Sequence, residues 1–264
     1  MFDSGFGGLT VARALIDLLP NESLVYLGDT ARYPYGSRPL NEVREFAHEI
    51  GAYLVDRFNI KMLVVACNTA SAAALEKLEQ ALTIPVVGVI EPGVRAAISA
   101  TRNKRVGVIA TVATVSSGAY QRAFDAANHY GNGELICAAC PGFVEFVERD
   151  ELRSDQVHVL AERLLAPVCE GKVDTLLLGC THYPFLARTI SDVVGRDVVL
   201  VSSADETAFE VRNLLMAHTS LARTSTAGQP GYHRFLSSGD AEWFRQLGRR
   251  LLGPELDHVE VVRW

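Results

Sequence analysis

Two cysteines lie in near-twin settings. Cys67 sits in Val64-Val65-Ala66-Cys67-Asn68-Thr69-Ala70, and Cys180 in Leu177-Leu178-Gly179-Cys180-Thr181-His182-Tyr183-Pro184. Each follows a short apolar run that reads as a buried parallel strand, and each is followed by residues of the kind that cap helices. That predicts a thiol at the C-terminal end of each strand, where open α/β sheets place their chemistry. An ordinary thiol titrates near about 8.5, and a helix N-terminus or a cation lowers that value. A thiolate acts as a general base and a thiol as a general acid. One buried cysteine is usually no more than a small hydrophobe, but two in matched settings favour chemistry. Two thiols facing one cleft could take a proton from one face of a carbon and return it to the other.

Other residues gather around this pair. His182 lies two positions after Cys180 and can exchange a proton with that thiol or with its substrate. Asp3-Ser4-Gly5-Phe6-Gly7-Gly8 is a polar, glycine-rich turn before a helix, able to expose N–H groups to an anion. Gly28-Asp29-Thr30-Ala31-Arg32-Tyr33-Pro34-Tyr35-Gly36 is a second polar segment after a strand, readable equally as turn chemistry. Glu148, in Phe146-Val147-Glu148-Arg149-Asp150, reads by default as a solvated helix end. Cys137 and Cys140 form Cys-Ala-Ala-Cys. They read as a redox pair, half a zinc site or structural thiols, and the Pro141-Gly142 that follows favours the last. No second ligand pair for zinc is visible. Cys169 is expected in a helix core. His48, His129, His158, His218, His233 and His258 are expected in surface or packing roles. Lys61, Lys77, Lys104 and Lys172 all fall outside the polar motifs, which argues against a pyridoxal phosphate Schiff base.

The elements that must position these groups alternate. Strands are predicted at Leu24–Leu27, Met62–Ala66, Val86–Ile90, Arg105–Ile109, Leu135–Ala138, Thr175–Leu178 and Val198–Val201. Helices are predicted at Thr10–Leu19, Leu40–Phe58, Ala70–Leu82, Gly93–Ala100, Gly118–Asn128, Ser154–Glu170, Phe185–Val194 and Ala204–His218. Such alternation predicts parallel sheets. Thr219–Tyr232 reads as a surface loop. Arg234–Ser237 and Val259–Val262 read as edge strands around a helix at Ala241–Leu252. A weak internal repeat is present: Asp3 precedes Cys67 by 64 residues, and Thr111, at the end of a strand, precedes Cys180 by 69. Each half would then carry a polar tip on its first strand and a thiol further along. The chain opens Met1-Phe2-Asp3, leaving no room for a full strand before the aspartate. The expectation is that most of a first strand is absent and that the natural start lies upstream.

The bulk properties exclude several classes. At 264 residues the chain forms one large or two smaller domains with a real core. Apolar residues make up 48% and charged residues 21%, ordinary for a globular protein. The net charge of −6 and the lack of a basic stripe argue against nucleic acid as a partner. No apolar run approaches the roughly 20 residues that span a bilayer, so no membrane association is expected. The N-terminus lacks a signal-peptide pattern, and five cysteines without framework spacing fit a reducing cytoplasm.

Taken together, the motifs resemble the glutamate racemases of the cofactor-independent aspartate/glutamate racemase superfamily. The resemblance is carried by residues 3–11, 28–36, 66–70, 86–93, 139–141 and 178–184, and runs from residue 1 to about 215. It implies two α/β domains with parallel sheets, related by pseudo-twofold symmetry, with the substrate in the cleft between them. The first would be 1–92 plus 205–264, carrying Asp3 and Cys67. The second would be 93–204, carrying Glu148, Cys180 and His182. It implies L- and D-glutamate as ligands, no cofactor, no metal and a role in peptidoglycan synthesis. By motif position, Cys180 would deprotonate L-glutamate and Cys67 D-glutamate. Asp3 would assist Cys67 and His182 would assist Cys180, while Asp29 and Glu148 match supporting acidic positions. Substrate contacts would come from Asp3, Ser4, Pro34, Tyr35, Gly36, Asn68, Thr69, Thr111, Thr114, Thr181 and His182. A homodimer is an assembly common in the family. Gly142 and Glu145 depart from the family pattern, which usually has apolar residues or Pro there.

The alternatives are another racemase of the superfamily (aspartate or hydantoin), an arylmalonate decarboxylase-like enzyme, a non-catalytic binding module for acidic amino acids, and a thiol-disulfide protein using Cys137 and Cys140. Aspartate racemases tend to carry Glu where His182 stands and lack the Asp-Ser-Gly opening.

Overall fold

The computed structural model describes residues 1–128, 131–217 and 231–263. The expected loop Thr219–Tyr232 lies outside them except for its last two residues, as do His129 and His218. The chain divides into two compact units, Met1–Val89 with Ala204–Trp264, and Ile90–Ser203. The sequence reading set these divisions at 92/93 and 204/205.

In the first unit the order is β1 (Phe2–Asp3), α1 (Leu9–Leu18), β2 (Leu24–Gly28), α2 (Leu40–Phe58), β3 (Leu63–Val65), α3 (Asn68–Ala81) and β4 (Val86–Gly88). The second unit follows with α4 (Ile90–Ala100), β5 (Arg105–Ala110), α5 (Val112–Ser116), α6 (Ala119–Ala127), β6 (Glu134–Ala139), α7 (Phe143–Glu148), α8 (Asp155–Glu170), β7 (Thr175–Gly179), a 3₁₀ turn (Tyr183–Leu186), α9 (Ala187–Val194) and β8 (Val199–Ser202). The chain then returns to the first unit through α10 (Ser203–Ala217), β9 (His233–Ser237), α11 (Ala241–Leu252) and β10 (Glu260–Val261).

Every strand pairing is parallel. The strand order is β10-β9-β2-β1-β3-β4 in one sheet and β6-β5-β7-β8 in the other. The run β2-β1-β3-β4 and the whole second sheet share one order: second strand, first, third, fourth. The weak sequence repeat is therefore a repeat of topology. It puts Asp3 and Thr111 at or just past the tips of equivalent first strands, and Cys67 and Cys180 just past equivalent third strands.

Helix faces follow from apolar spacing. α2 buries Val43, Ala47, Ile50, Gly51 and Leu54, one stripe of a 3.6-residue period, and ends at Asn59 in the left-handed region that Asn tolerates. α8 starts behind Ser154, whose hydroxyl accepts from the Val157 N–H at 3.3 Å. Among the described residues no helix is long and apolar enough to cross a membrane.

Several expectations need correction. The first strand is not among them: it is a two-residue element between β2 and β3, as short as expected, with Phe2 opposite Leu27 and Val65. β9 is interior, between β10 and β2, and of these two strands β10 alone is an edge. The stretch read as strand Val86–Ile90 stops at Gly88, and α4 starts at Ile90 rather than Gly93. Pro92 falls in its first turn, where a missing N–H costs little. The Gly118–Asn128 helix is preceded by the separate short α5 and starts after Gly118 in the left-handed region. Cys169 is exposed, not core. On α8 the buried stripe is Val157, Ala161, Leu165 and Val168, and one residue further on turns about 100° toward solvent.

Candidate functional site

In the first unit the tips of β1, β2 and β3 are tied by backbone. Asp29 N–H donates to the Asp3 carbonyl and Ala66 N–H to the Phe2 carbonyl, both at 2.9 Å. The chain beyond β1 turns so that Asp3 Oδ2 accepts from the N–H groups of Gly5 at 3.0 Å and Gly8 at 3.1 Å. Asp3 is fully buried. Burial raises its pKa, opposed by those amides, by Cys67 and by Ser4. Among the described residues Oδ1 has no hydrogen-bond partner. The Cys67 thiol is near enough to steady the carboxylate's charge, yet outside hydrogen-bond geometry for Oδ1.

Cys67 is the cap of α3. Its sulfur accepts from the Ala70 N–H at 3.5 Å and donates weakly to Ser4 Oγ at 3.9 Å. The helix therefore starts at Asn68, two residues earlier than the sequence predicts, and brings buried Asn68 and Thr69 into its first turn. A helix N-terminus favours thiolate, but burial and the Asp3 charge outweigh it. The thiol's pKa is pushed up to about 12.

Asp29, at the tip of β2, is fully buried. It accepts from Arg32 Nε at 2.6 Å, from Ser238 Oγ at 2.6 Å, and from the Tyr35 hydroxyl. This fastens the segment Tyr33-Pro34-Tyr35-Gly36, whose Tyr33-Pro34 bond is cis. Asp29 thus supports that loop from beneath. Sequence reasoning missed Arg32 and Ser238. Ser238 follows β9, whose pairing with β2 sets Ser237 opposite Gly28, a neighbour that no local pattern announces.

In the second unit Thr111 follows β5 and caps α5, its Oγ1 accepting from Thr114 N–H at 3.3 Å and lying 2.8 Å from Thr114 Oγ1. Cys180 and Thr181 follow β7, both buried. Cys180 Sγ lies 3.9 Å from His182 Nδ1. His182 Nε2 lies 3.8 Å from Glu148 Oε1, too long for a hydrogen bond. Burial pushes the imidazole down to about 4, so the ring is neutral at pH 7. Glu148 ends α7, which packs on the 3₁₀ turn through Phe143 and Tyr183, ring centroids 5.4 Å apart. Gly142, one of the departures from the family pattern, has φ +95° at the start of α7, a conformation that suits glycine.

The neutral ring carries a stability consequence. In the unfolded chain His182 titrates near about 6.5, so between that pH and about 4 the unfolded state binds more protons than the folded state. Stability from this group is present above pH 6.5 and is lost as pH falls toward 4. The stability gap between wild type and His182→Asn should shrink by up to about 3 kcal/mol from pH 7 to pH 4, read by urea unfolding.

All five cysteines are free. Cys137 lies in β6 and Cys140 just past it; three positions apart along an extended chain, they point to opposite faces. Burial raises Cys137 to about 11 and Cys140 to about 12. That suits structural thiols better than a redox pair. Among the described residues no group of three or more His, Cys, Asp or Glu side chains is arranged to hold a metal. Iodoacetamide at pH 8 should modify exposed Cys169 first, with Cys67 slower by about a hundredfold or more, as read by peptide mass spectrometry.

The structure therefore groups Asp3, Ser4, Asp29, Tyr35, Cys67, Asn68 and Thr69 at one set of strand ends. It groups Thr111, Thr114, Glu148, Cys180, Thr181 and His182 at the other. The description Asp/Glu/Hydantoin racemase matches residues 9–210. A glutamate racemase of Acidothermus cellulolyticus is 53% identical over 99% of this chain and 97% of its own length. A glutamate racemase of Bacillus anthracis has a similar crystal structure (TM-score 0.90, 41% identity, 100% of this chain and 95% of that one). So does a Francisella tularensis glutamate racemase in complex with D-glutamate (TM-score 0.89, 34% identity, 99% and 95%). The chain belongs to the Asp/Glu/hydantoin racemase family, among the isomerases named glutamate racemase.

Proposed function

We propose that this chain interconverts L-glutamate and D-glutamate by deprotonation and reprotonation at Cα, with one thiol serving each face and no cofactor. The single observation carrying this reading is the repeated strand order with a buried thiol just past each third strand. Cys180 takes the proton from L-glutamate and Cys67 takes it from D-glutamate. The product of one direction leaves the two sulfurs with exchanged protonation, ready for the other enantiomer.

The α-hydrogen of an amino acid is a very weak acid, so the site must stabilise the carbanion as it forms. Hydroxyl, amide and backbone donors around the carboxylates do this where water is excluded. Ser4, Asn68, Thr69, Thr111, Thr114 and Thr181 supply such groups, and Pro34, Tyr35 and Gly36 shape the first unit's side. Asp3 Oδ1, buried and open as an acceptor, takes up or steadies the Cys67 proton. Neutral His182 performs the same service for Cys180, with the Glu148 carboxylate 3.8 Å from its far nitrogen and Asp29 holding the Tyr35 loop. The Francisella tularensis relative is described with D-glutamate bound, which supports this substrate. D-glutamate made this way would feed peptidoglycan synthesis in the cytoplasm, and a homodimer is the assembly to test first.

The test is circular dichroism of L-glutamate over time with purified protein and nothing added. The signal should decay to zero. In deuterated water the product should carry deuterium at Cα by proton NMR. A flat signal from folded protein, or unlabelled product, would overturn the reading.

A further inference from the structure

Tyr26 lies in the middle of β2, fully buried, its ring held between Phe235 (centroids 6.4 Å apart) and Phe244 (5.9 Å). Its hydroxyl donates to the Gly5 carbonyl at 2.9 Å. Gly5 belongs to the same turn whose amides hold Asp3 Oδ2. Two glycines let these groups converge. A Cβ on Gly28 would stand 2.8 Å from the Gly5 carbonyl, so that carbonyl descends to the sheet only because Gly28 has no side chain. A Cβ on Gly8 would stand 2.6 Å from Asp3 Cβ, 2.8 Å from the Tyr26 hydroxyl and 3.0 Å from Ala66 Cβ. The hydroxyl therefore sits under the junction of the Asp3 turn and the residue preceding Cys67.

We infer that Tyr26 is a positioning residue for the Cys67 half-reaction: its hydroxyl anchors the Gly5 carbonyl and thereby fixes the Asp3 carboxylate beside the thiol. Burial raises the phenol far above its ordinary value, so it stays a proton donor to the carbonyl at all working pH values and is no base itself. The inference rests on the two-thiol reading for its kinetic arm and stands apart from it in its chemical arm.

The variant is Tyr26→Phe, which keeps the ring and removes one hydroxyl. Removing a buried hydrogen bond of this kind should lower kcat/KM by roughly tenfold. Because the two enantiomers are equally stable, that loss is the same in both directions. The isotope effects separate the halves. With the Cys67 step slowed, the primary effect from α-deuterated D-glutamate should rise, and that from α-deuterated L-glutamate should fall. A merely structural loss would scale activity and leave both isotope effects unchanged, which would overturn the assignment. Independently of any racemisation, alkylation of Cys67 in the variant should speed up about threefold or more, with Cys180 unchanged, because a loosened turn admits water and reagent. Unchanged Cys67 alkylation would overturn the assignment even if wild type were inactive. An inactive wild type with the alkylation change present would instead overturn the two-thiol reading alone.

Discussion

Cys67→Ala should abolish racemisation in both directions, and Cys180→Ala should do so equally. Losing one general acid or base typically costs about 10²–10⁴. In the proposed scheme each turnover needs both groups, one to remove the proton and one to deliver it, so the fall should be at least about 10⁴. The fold should survive. Cys67 caps α3 through a sulfur 3.5 Å from the Ala70 N–H, and losing a cap costs about 1 kcal/mol against a domain stability of about 5–15 kcal/mol. Alanine is the cleaner choice, because a serine hydroxyl would retain some proton-transfer capacity. The variants should also differ from each other. Cys67→Ala keeps Cys180 and should still wash the α-hydrogen of L-glutamate into deuterated water slowly, without inversion. Cys180→Ala should do this only for D-glutamate. Racemisation near the wild-type rate in either variant would refute the two-thiol scheme.

The placing of the two thiols was more legible in the sequence than their electrostatics. A short apolar run followed by Cys and polar residues announced both strand tips, because a buried parallel strand and a helix start each leave a local pattern. The pKa of Cys67 left none. The helix N-terminus behind it argues for a lowered value, yet burial against Asp3 and the sheet raises it to about 12. That outcome depends on how much chain covers the sulfur, which is a tertiary quantity. The same holds for His182: its place beside Cys180 was visible, its neutrality was not.

The topology was half visible. Strand and helix alternation gave parallel sheets, and residue spacing hinted at the repeat. The order β2-β1-β3-β4, matched by β6-β5-β7-β8, was out of reach because strand neighbours are chosen by crossover geometry, not by local residues. The placing of β9 shows the cost. Its run of five residues looks like any short strand and does not name β2 as its neighbour, which hid Ser238 from the account of Asp29. Cys169 was misread for a simpler reason: its helix is amphipathic, and a cysteine one step off the buried stripe looks apolar without being inside. Tyr26 was invisible as anything but core, since nothing in Leu24–Gly28 says which side chain ends under the Asp3 turn.

Gly8→Ala should damage the first unit in both activity and stability. Backbone conformation gives no warning. Gly8 has φ −63° and ψ −8° as the N-cap of α1, a right-handed conformation open to any residue. Contacts decide the sign. The new Cβ would stand 2.6 Å from Asp3 Cβ and 3.0 Å from Ala66 Cβ, both within the tied strand tips, besides 2.8 Å from the Tyr26 hydroxyl. Overpacking of this kind costs about 1–3 kcal/mol. The nearest atom is Asp3 Cβ, so the carboxylate held by the Gly5 and Gly8 amides is what must shift. A displacement of about 1 Å at a positioning group can cost about 10² in rate, so kcat should fall by about that factor while unfolding free energy drops by about 1–2 kcal/mol. Adding Tyr26→Phe should not restore activity, because the closest clash is with Asp3 Cβ and not with the hydroxyl. Recovery in that double variant would mean that Tyr26, rather than Asp3, gives way, and would transfer the tight contact from the carboxylate to its anchor.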